Sequence, residues 1–281
     1  MLLTLTIIIV LIIVVYFQYK HVFRRYFNDL KMIKFYSNTS RWENYVDANK
    51  MTLLQRIPLK ICFITLETRD KEFIDLHNKN ILRYVESQTN PKLNRVYVYK
   101  RYKSCTLEGH KHNVYWCKFH LLENVLRSGE YDYVIWLDSD TIFTDFTVDL
   151  GDILSCYSSD IILPLDGKTK YRTLNAGVAV IKNSKLGREI IETITAQSKT
   201  SEFESSCINE KNDLNGIWAL SCYEQGVMNS IVWNHYKQYL TVFPSSIVHC
   251  GTTCVPNSSL ILHMYNETNE KRVHCFKNFI N

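Results

Sequence analysis

Two aspartates one residue apart, Asp138 and Asp140, carry the most legible chemistry in this 281-residue chain. They follow a run of large apolar and β-branched residues, Val134, Ile135, Trp136 and Leu137, and precede another, Ile142 and Phe143. Such a run reads as a strand buried on both faces, with the stretch 131–143 as the segment around which the rest is arranged. If the chain stays extended past Leu137, the two-residue period puts both carboxylates on one side. Ligands of open α/β sheets sit just beyond the C-terminal ends of strands. Two carboxylates held there against an apolar wall need a cation. Hard oxygen donors suit Mg²⁺ or Mn²⁺, whose remaining positions are commonly filled by substrate phosphates. With 13 aspartates in the chain, a D-x-D triplet arises by chance about 0.6 times. Setting rather than spacing therefore gives the pair its weight, and the competing reading is a solvated acidic turn.

Other residue types could join this chemistry. Leu260, Ile261 and Leu262 form an apolar run ending at His263, which is either a ligand or a satisfied core histidine. Only a fold that returns its C-terminal segment across the strand ends brings an imidazole 123 residues (263 − 140) beyond Asp140 into the same shell. Asn175, Ala176 and Gly177 lead a polar turn into an apolar strand. Gly177 there permits close approach by a ligand, or relieves packing within the strand. Glu224 and Gln225 open a helix, where Glu224 also suits the N-terminal end as a cap. Lys118 lies in a helix whose apolar stripe faces elsewhere, which reads as a solvated lysine. Ser139 lies between the two aspartates, and Lys271 with Arg272 follows His263 near the C-terminus.

The elements that must position these groups alternate. Strands are expected over 60–66, 95–99, 134–137 and 160–164, and again after Gly177. Helices are expected over 73–85, with Phe73, Ile74, His77, Ile81, Leu82 and Val85 inward, and over 116–126, with Trp116, Phe119, Leu122, Val125 and Leu126 at helical spacing. A short helix at Ile153 and Leu154, one over 186–194, and one from Glu224 complete the set. The polar stretch 198–215 reads as an exposed loop. This βαβαβ rhythm predicts an α/β fold, a Rossmann-like and mostly parallel central sheet flanked by helices.

Composition narrows the classes. Apolar residues make up 46% and charged ones 22%, as in globular proteins. The net charge of +5 comes without a basic stripe interleaved with aromatics, which argues against a nucleic-acid partner. Residues 2–17 are apolar but for Thr4 and Thr6, closed by Tyr16 and Phe17 with Tyr19 just beyond. As a helix they reach about 24 Å at ~1.5 Å per residue, enough for a thin bilayer. No small-x-small cleavage site follows, so 1–19 reads as a transmembrane signal anchor, 20–57 as a stem and 58–281 as the globular body. Lys20, Arg24, Arg25, Lys31 and Lys34 after the span favour a cytosolic body. The sequons at Asn38, Asn257 and Asn266 and nine cysteines, all after the span, favour a lumenal one. The lumenal side, in a single-pass protein of the Golgi or ER membrane, is the reading adopted. Nine thiols allow up to four disulfides with one left over. A zinc cluster from His249, Cys250, Cys254, His263, His274 and Cys275 fits no regular spacing.

In this order, the strand at 61–66, Lys118 ahead of Tyr-Asp-x-Val-Ile-Trp-Leu-Asp-Ser-Asp140, the Asn175-Ala176-Gly177 strand, Glu224-Gln225, and His263 with Lys271 resemble metal-dependent glycosyltransferases of GT-A architecture. The likeness is closest to the retaining galactosyl-, mannosyl- and xylosyltransferase family of the secretory pathway, and covers about residues 58–272. The resemblance implies a catalytic domain that moves a hexose or pentose from a nucleotide-diphosphate sugar to a glycan, glycoprotein or glycolipid acceptor. It implies Asp138, Asp140 and His263 as metal ligands, with the imidazole favouring Mn²⁺ over Mg²⁺. It further implies Asp138, Ser139, Lys118, Gly177 and Lys271 on the donor nucleotide-sugar, and Asn175, Glu224 and Gln225 beside the reacting sugar. A non-catalytic membrane-anchored lectin or scaffold of the same fold is the alternative. A cytosol-facing phosphoryl transferase is disfavoured by the lack of a glycine-rich phosphate loop.

Overall fold

The computed structural model describes residues 58–89, 95–105, 114–166, 173–207, 220–251, 254, 259–265 and 267–280. The expected anchor, stem and sequon asparagines lie outside them. Among the described residues no helix is long and apolar enough to cross a membrane.

Nine strands are described: β1 (Leu59–Leu66), β2 (Arg95–Tyr102), β3 (Tyr133–Leu137), β4 (Thr141–Phe143), β5 (Ile161–Pro164), β6 (Val178–Lys182), β7 (Leu240–Phe243), β8 (Val248–Cys250) and β9 (Ile261–His263). Six make the central sheet in the order β2-β1-β3-β6-β5-β7. Five of these run parallel, and β6 runs against both its neighbours. Alternation decides which layer each residue joins. Val134 and Trp136 pack with Cys62, Ile64, Ala179 and Ile181, while Tyr133, Ile135 and Leu137 pack with Ile61, Phe63, Val178 and Val180. The first layer lies beneath helices α2 (Cys117–Arg127), α4 (Lys185–Gln197), α5 (Ser201–Cys207) and α6 (Glu224–Ile231), and the second beneath α1 (Lys71–Gln88) and α3 (Leu150–Ser155). Both faces of β3 are therefore buried, as its unbroken apolar run implies.

The remaining strands form a small sheet, β4-β9-β8, in which Thr141 pairs with His263 and His263 with Cys250. The last helix, α7 (Asn269–Ile280), packs Cys275, Phe276, Phe279 and Ile280 against Phe73 and Leu262. The C-terminal segment thus returns across the end of β3.

Two expectations need correction. In α1 the inward residues are Phe73, His77, Asn80, Ile81, Tyr84 and Gln88, and Leu82 is 44% exposed. Asn80 takes the place because its amide brackets Phe143, accepting from the backbone N–H at 2.8 Å and donating to the carbonyl at 3.0 Å. Leu82, one residue past Ile81, is turned about 100° away from that stripe. In the stretch read as a loop, residues 201–207 are helical, because Phe203 and Cys207 recur at four-residue spacing and are buried, Phe203 edge-on to Trp116.

Three disulfides are described, Cys105–Cys117, Cys207–Cys222 and Cys254–Cys275, and Cys62, Cys156 and Cys250 are free and buried. The bridge at Cys254–Cys275 removes two thiols from the imagined zinc cluster.

Candidate metal and nucleotide-sugar site

The central chain does not stay extended past Leu137. Residues 138–140 form a turn in which the Thr141 N–H and hydroxyl both donate to the Asp138 carbonyl, at 2.9 and 2.7 Å. This turn carries the chain from the central sheet into β4. Its ends are fixed: the Asp138 N–H donates to the Gly177 carbonyl at 2.7 Å, and the Met264 N–H donates to the Asp140 carbonyl at 2.9 Å. Asp138 and Asp140 are thus brought together by a turn locked at the junction of two sheets, rather than by strand period.

His263 completes the group. Its Nε2 lies 3.2 Å from Asp140 Oδ1 and 3.7 Å from Asp138 Oδ2. One donor atom from each residue falls within 4.8 Å of the others. An ion about 2.0–2.2 Å from each donor needs donors no more than about 4.4 Å apart, so small movements of these side chains would close a coordination shell. The ring has room because residue 177 is glycine. A Cβ there would stand 2.0 Å from His263 Cε1 and 2.5 Å from each ring nitrogen. Gly177 therefore admits the imidazole of this chain rather than a ligand. On the far side, Nδ1 of His263 faces Cys250 Sγ at 3.8 Å.

Cations surround the carboxylates. Lys118, expected in solvent, is buried, since the first turn of α2 points at the end of β3. Its Nζ sits 3.1 Å from Asp138 Oδ1, 3.1 Å from Glu224 Oε1 and 3.3 Å from the Ala176 carbonyl. Trp136 Nε1 donates to Asp138 Oδ1 at 2.5 Å. Glu224 is the first residue of α6; Tyr223 is the cap, and the carboxylate turns inward to Lys118. Near the C-terminus Arg272, not Lys271, reaches the site. Arg272 Nη2 donates to Asp140 Oδ2 at 2.8 Å and its Nε to the Met264 carbonyl at 3.1 Å. Lys271 is exposed and paired with Glu267 at 3.0 Å. Helical phase separates the two: Arg272 shares the face of Cys275, Phe276 and Phe279, and Lys271 falls off it.

Titration follows from these contacts. Burial pushes the Asp140 carboxyl up, but His263 and Arg272 together pull it below the ordinary carboxylate range. Burial opposes protonation of His263, and Asp140 more than reverses this, so the metal-free imidazole holds its proton well above the ordinary histidine range. Burial likewise opposes the charge on Lys118, and Asp138 with Glu224 raises it overall. Burial raises Glu224, which Lys118 offsets only in part.

Two residues expected beside the sugar brace the backbone. Asn175 Oδ1 accepts from the Gly177 N–H at 2.7 Å, and Gln225 Oε1 accepts from the Ala176 N–H at 2.9 Å. They hold the turn that presents Gly177 to His263. In front of the carboxylates opens a cavity of about 400 Å³, lined by Glu67, Thr68, Arg69, Tyr115, Lys118, Asp138, Ser139, Asp140 and Arg272 among others. Glu67 and Arg69 follow β1 and carry no signal in the sequence beyond their polarity.

The fold matches that of a solved glycosyltransferase involved in the glycosylation of the major capsid of PBCV-1. The TM-score is 0.52, over 78% of this chain and 98% of that one, at 12% sequence identity. The two share the mixed α/β architecture, a largely parallel central sheet flanked by helices. A looser similarity is to the glycosyltransferase GlyE of Streptococcus pneumoniae TIGR4: TM-score 0.43, 15% identity, 79% of this chain and 63% of that one. No protein-family model matches the sequence, and no curated protein does.

Proposed function

We propose that this chain is a metal-dependent glycosyltransferase of GT-A type that moves a hexose or pentose from a nucleotide-diphosphate sugar to a glycan acceptor. The observation that carries the reading is the convergence of Asp138, Asp140 and His263 in a cation-lined cavity, in a fold shared with a glycosyltransferase. These three residues would hold the ion, Mn²⁺ in preference to Mg²⁺ because one donor is an imidazole. When bound, a divalent ion supplies Lewis-acid stabilisation of charge on a departing diphosphate. The chain's own part is positioning and electrostatics. Lys118 and Arg272 partly neutralise the carboxylates and bring positive charge to the cavity wall. Two buried atoms in its wall, Glu67 Oε2 and Arg69 Nη1, have no partner among the described residues; a polar ligand would satisfy them.

The same reading keeps residues 1–19 as a membrane anchor and the body in the lumen of the secretory pathway. Three disulfides support it, since such bridges persist in oxidising compartments. A screen of UDP- and GDP-sugars with Mn²⁺, read as hydrolysis or transfer, tests the activity. Turnover of one donor, abolished in Asp140→Asn, is expected; a fully folded protein inert toward every donor would leave the non-catalytic lectin reading in its place.

A further inference from the structure

Helix starts in this protein are secured in two ways. The N-termini of α1, α3 and α4 are capped by side chains, Asp70 accepting from the Phe73 N–H, Asp149 from Gly151 and Ser184 from Gly187. The N-termini of α2 and α6 have no side-chain cap. These are the two helices that deliver Lys118 and Glu224 from their first turns. Each start carries a disulfide instead. Cys117, the residue before Lys118, is tied to Cys105 beyond β2, and Cys222, two residues before Glu224, is tied to Cys207 at the end of α5. The third bridge lies within a helix rather than at its start: Cys275, one turn after Arg272, is tied to Cys254. Asp138, Asp140 and His263 have no such bond; backbone pairing of β3, β4, β8 and β9 holds them.

We propose that the three disulfides are positioning elements for the charged frame of the site, Lys118, Glu224 and Arg272, while the metal-binding trio is positioned independently of them. This rests on the metal and nucleotide-sugar reading above, and it makes the two halves of the site separable. Lys118 and Arg272 lie against Asp138 and Asp140, so they compete with a divalent ion for the carboxylates and at the same time attract an anionic diphosphate. Loosening them has opposite consequences for the two ligands. Metal affinity holds or tightens, and nucleotide affinity falls. General destabilisation of the domain would weaken both together.

The test uses the full chain and its Cys105→Ala/Cys117→Ala and Cys254→Ala/Cys275→Ala double variants. Mn²⁺ binding is measured without nucleotide, and UDP and GDP binding at saturating Mn²⁺. In the wild type, mild reduction followed by alkylation provides a second route, because the three free thiols are buried and shielded. The expected result is a Mn²⁺ dissociation constant unchanged or lower and a nucleotide dissociation constant raised about tenfold or more, the loss of one charge-assisted contact. Parallel weakening of both ligands, unfolding included, or no change in either, would overturn the proposal. Oxidised wild-type protein that bound neither Mn²⁺ nor nucleotide would instead overturn the reading of the site itself, so the two failures are distinct.

Discussion

Replacing Gly177 by alanine tests the packing that places His263 beside Asp138 and Asp140. The backbone at 177 does not need glycine, since its φ lies outside the left-handed region. The three atoms nearest to a Cβ there all belong to the imidazole. The new Cβ would lie 2.0 Å from Cε1, against an ordinary contact of about 3.5–4.0 Å, so the ring would have to retreat by about 1.5 Å. The backbone cannot give way easily. The Gly177 N–H is bonded to Asn175 and its carbonyl to Asp138, and behind the ring stands Cys250. Overpacking of this kind costs about 1–3 kcal/mol, and the displaced ring leaves the carboxylates. Metal-free Gly177→Ala should lose stability in that range by denaturant unfolding, and its Mn²⁺ affinity should fall about 10-fold to 100-fold. In a His263→Ala background the same substitution meets no ring, so its cost should vanish, or become a gain of about 0.4–1 kcal/mol from the stiffer unfolded chain. Wild-type stability and wild-type Mn²⁺ affinity in Gly177→Ala would refute the reasoning.

Further outcomes follow from charge and burial. His77 is fully buried with neither ring nitrogen bonded among the described residues, and burial lowers its pKa to about 3. A depressed folded-state value gives stability that is present above the unfolded value of 6.5 and lost as pH falls toward 3. The slope is about 1.4 kcal/mol per pH unit in that window, which urea titrations at pH 7, 6 and 5 should show and His77→Phe should remove. His263 works in the opposite sense: its raised pKa means that the stability gained from its pairing is full below pH 6.5 and is lost as pH rises through the raised value. Metal must displace that proton, so Mn²⁺ should bind more tightly with rising pH in the wild type and independently of this proton in His263→Ala. Arg272→Met should weaken nucleotide binding at saturating Mn²⁺ while Lys271→Met leaves it unchanged, measured by calorimetry.

The legible parts of this protein were those where local pattern and burial agree. The unbroken run 134–137 marks a doubly buried strand, and the apolar run 260–262 marks a strand ending at His263, because one face or both of each must be apolar. The reversal of β6 was not legible, since an antiparallel strand buried on both faces has the same composition as a parallel one. The helix stripe alone makes Lys118 read as solvated, because nothing local shows that the first turn abuts the end of β3, where Asp138 and Glu224 make its burial tolerable. Arg272 could have been separated from Lys271 by helical phase with Cys275, Phe276 and Phe279. Asn175 and Gln225 show the converse: polar residues beside a site can serve the backbone that shapes it. At Gly177 the sequence leaves open a ligand's approach or packing relief, and the register of β9 shows that the space is filled by His263.

The central claim is that Asp138, Asp140 and His263 bind one divalent ion. Titration of the purified full chain with Mn²⁺, followed by the paramagnetic resonance of free and bound ion, measures it directly. The account predicts one site with a nitrogen coupling from His263, the coupling lost in His263→Ala and the site lost in Asp140→Asn while both variants stay folded. Equal Mn²⁺ binding by the wild type and Asp140→Asn, or a nitrogen coupling that persists in His263→Ala, would contradict it.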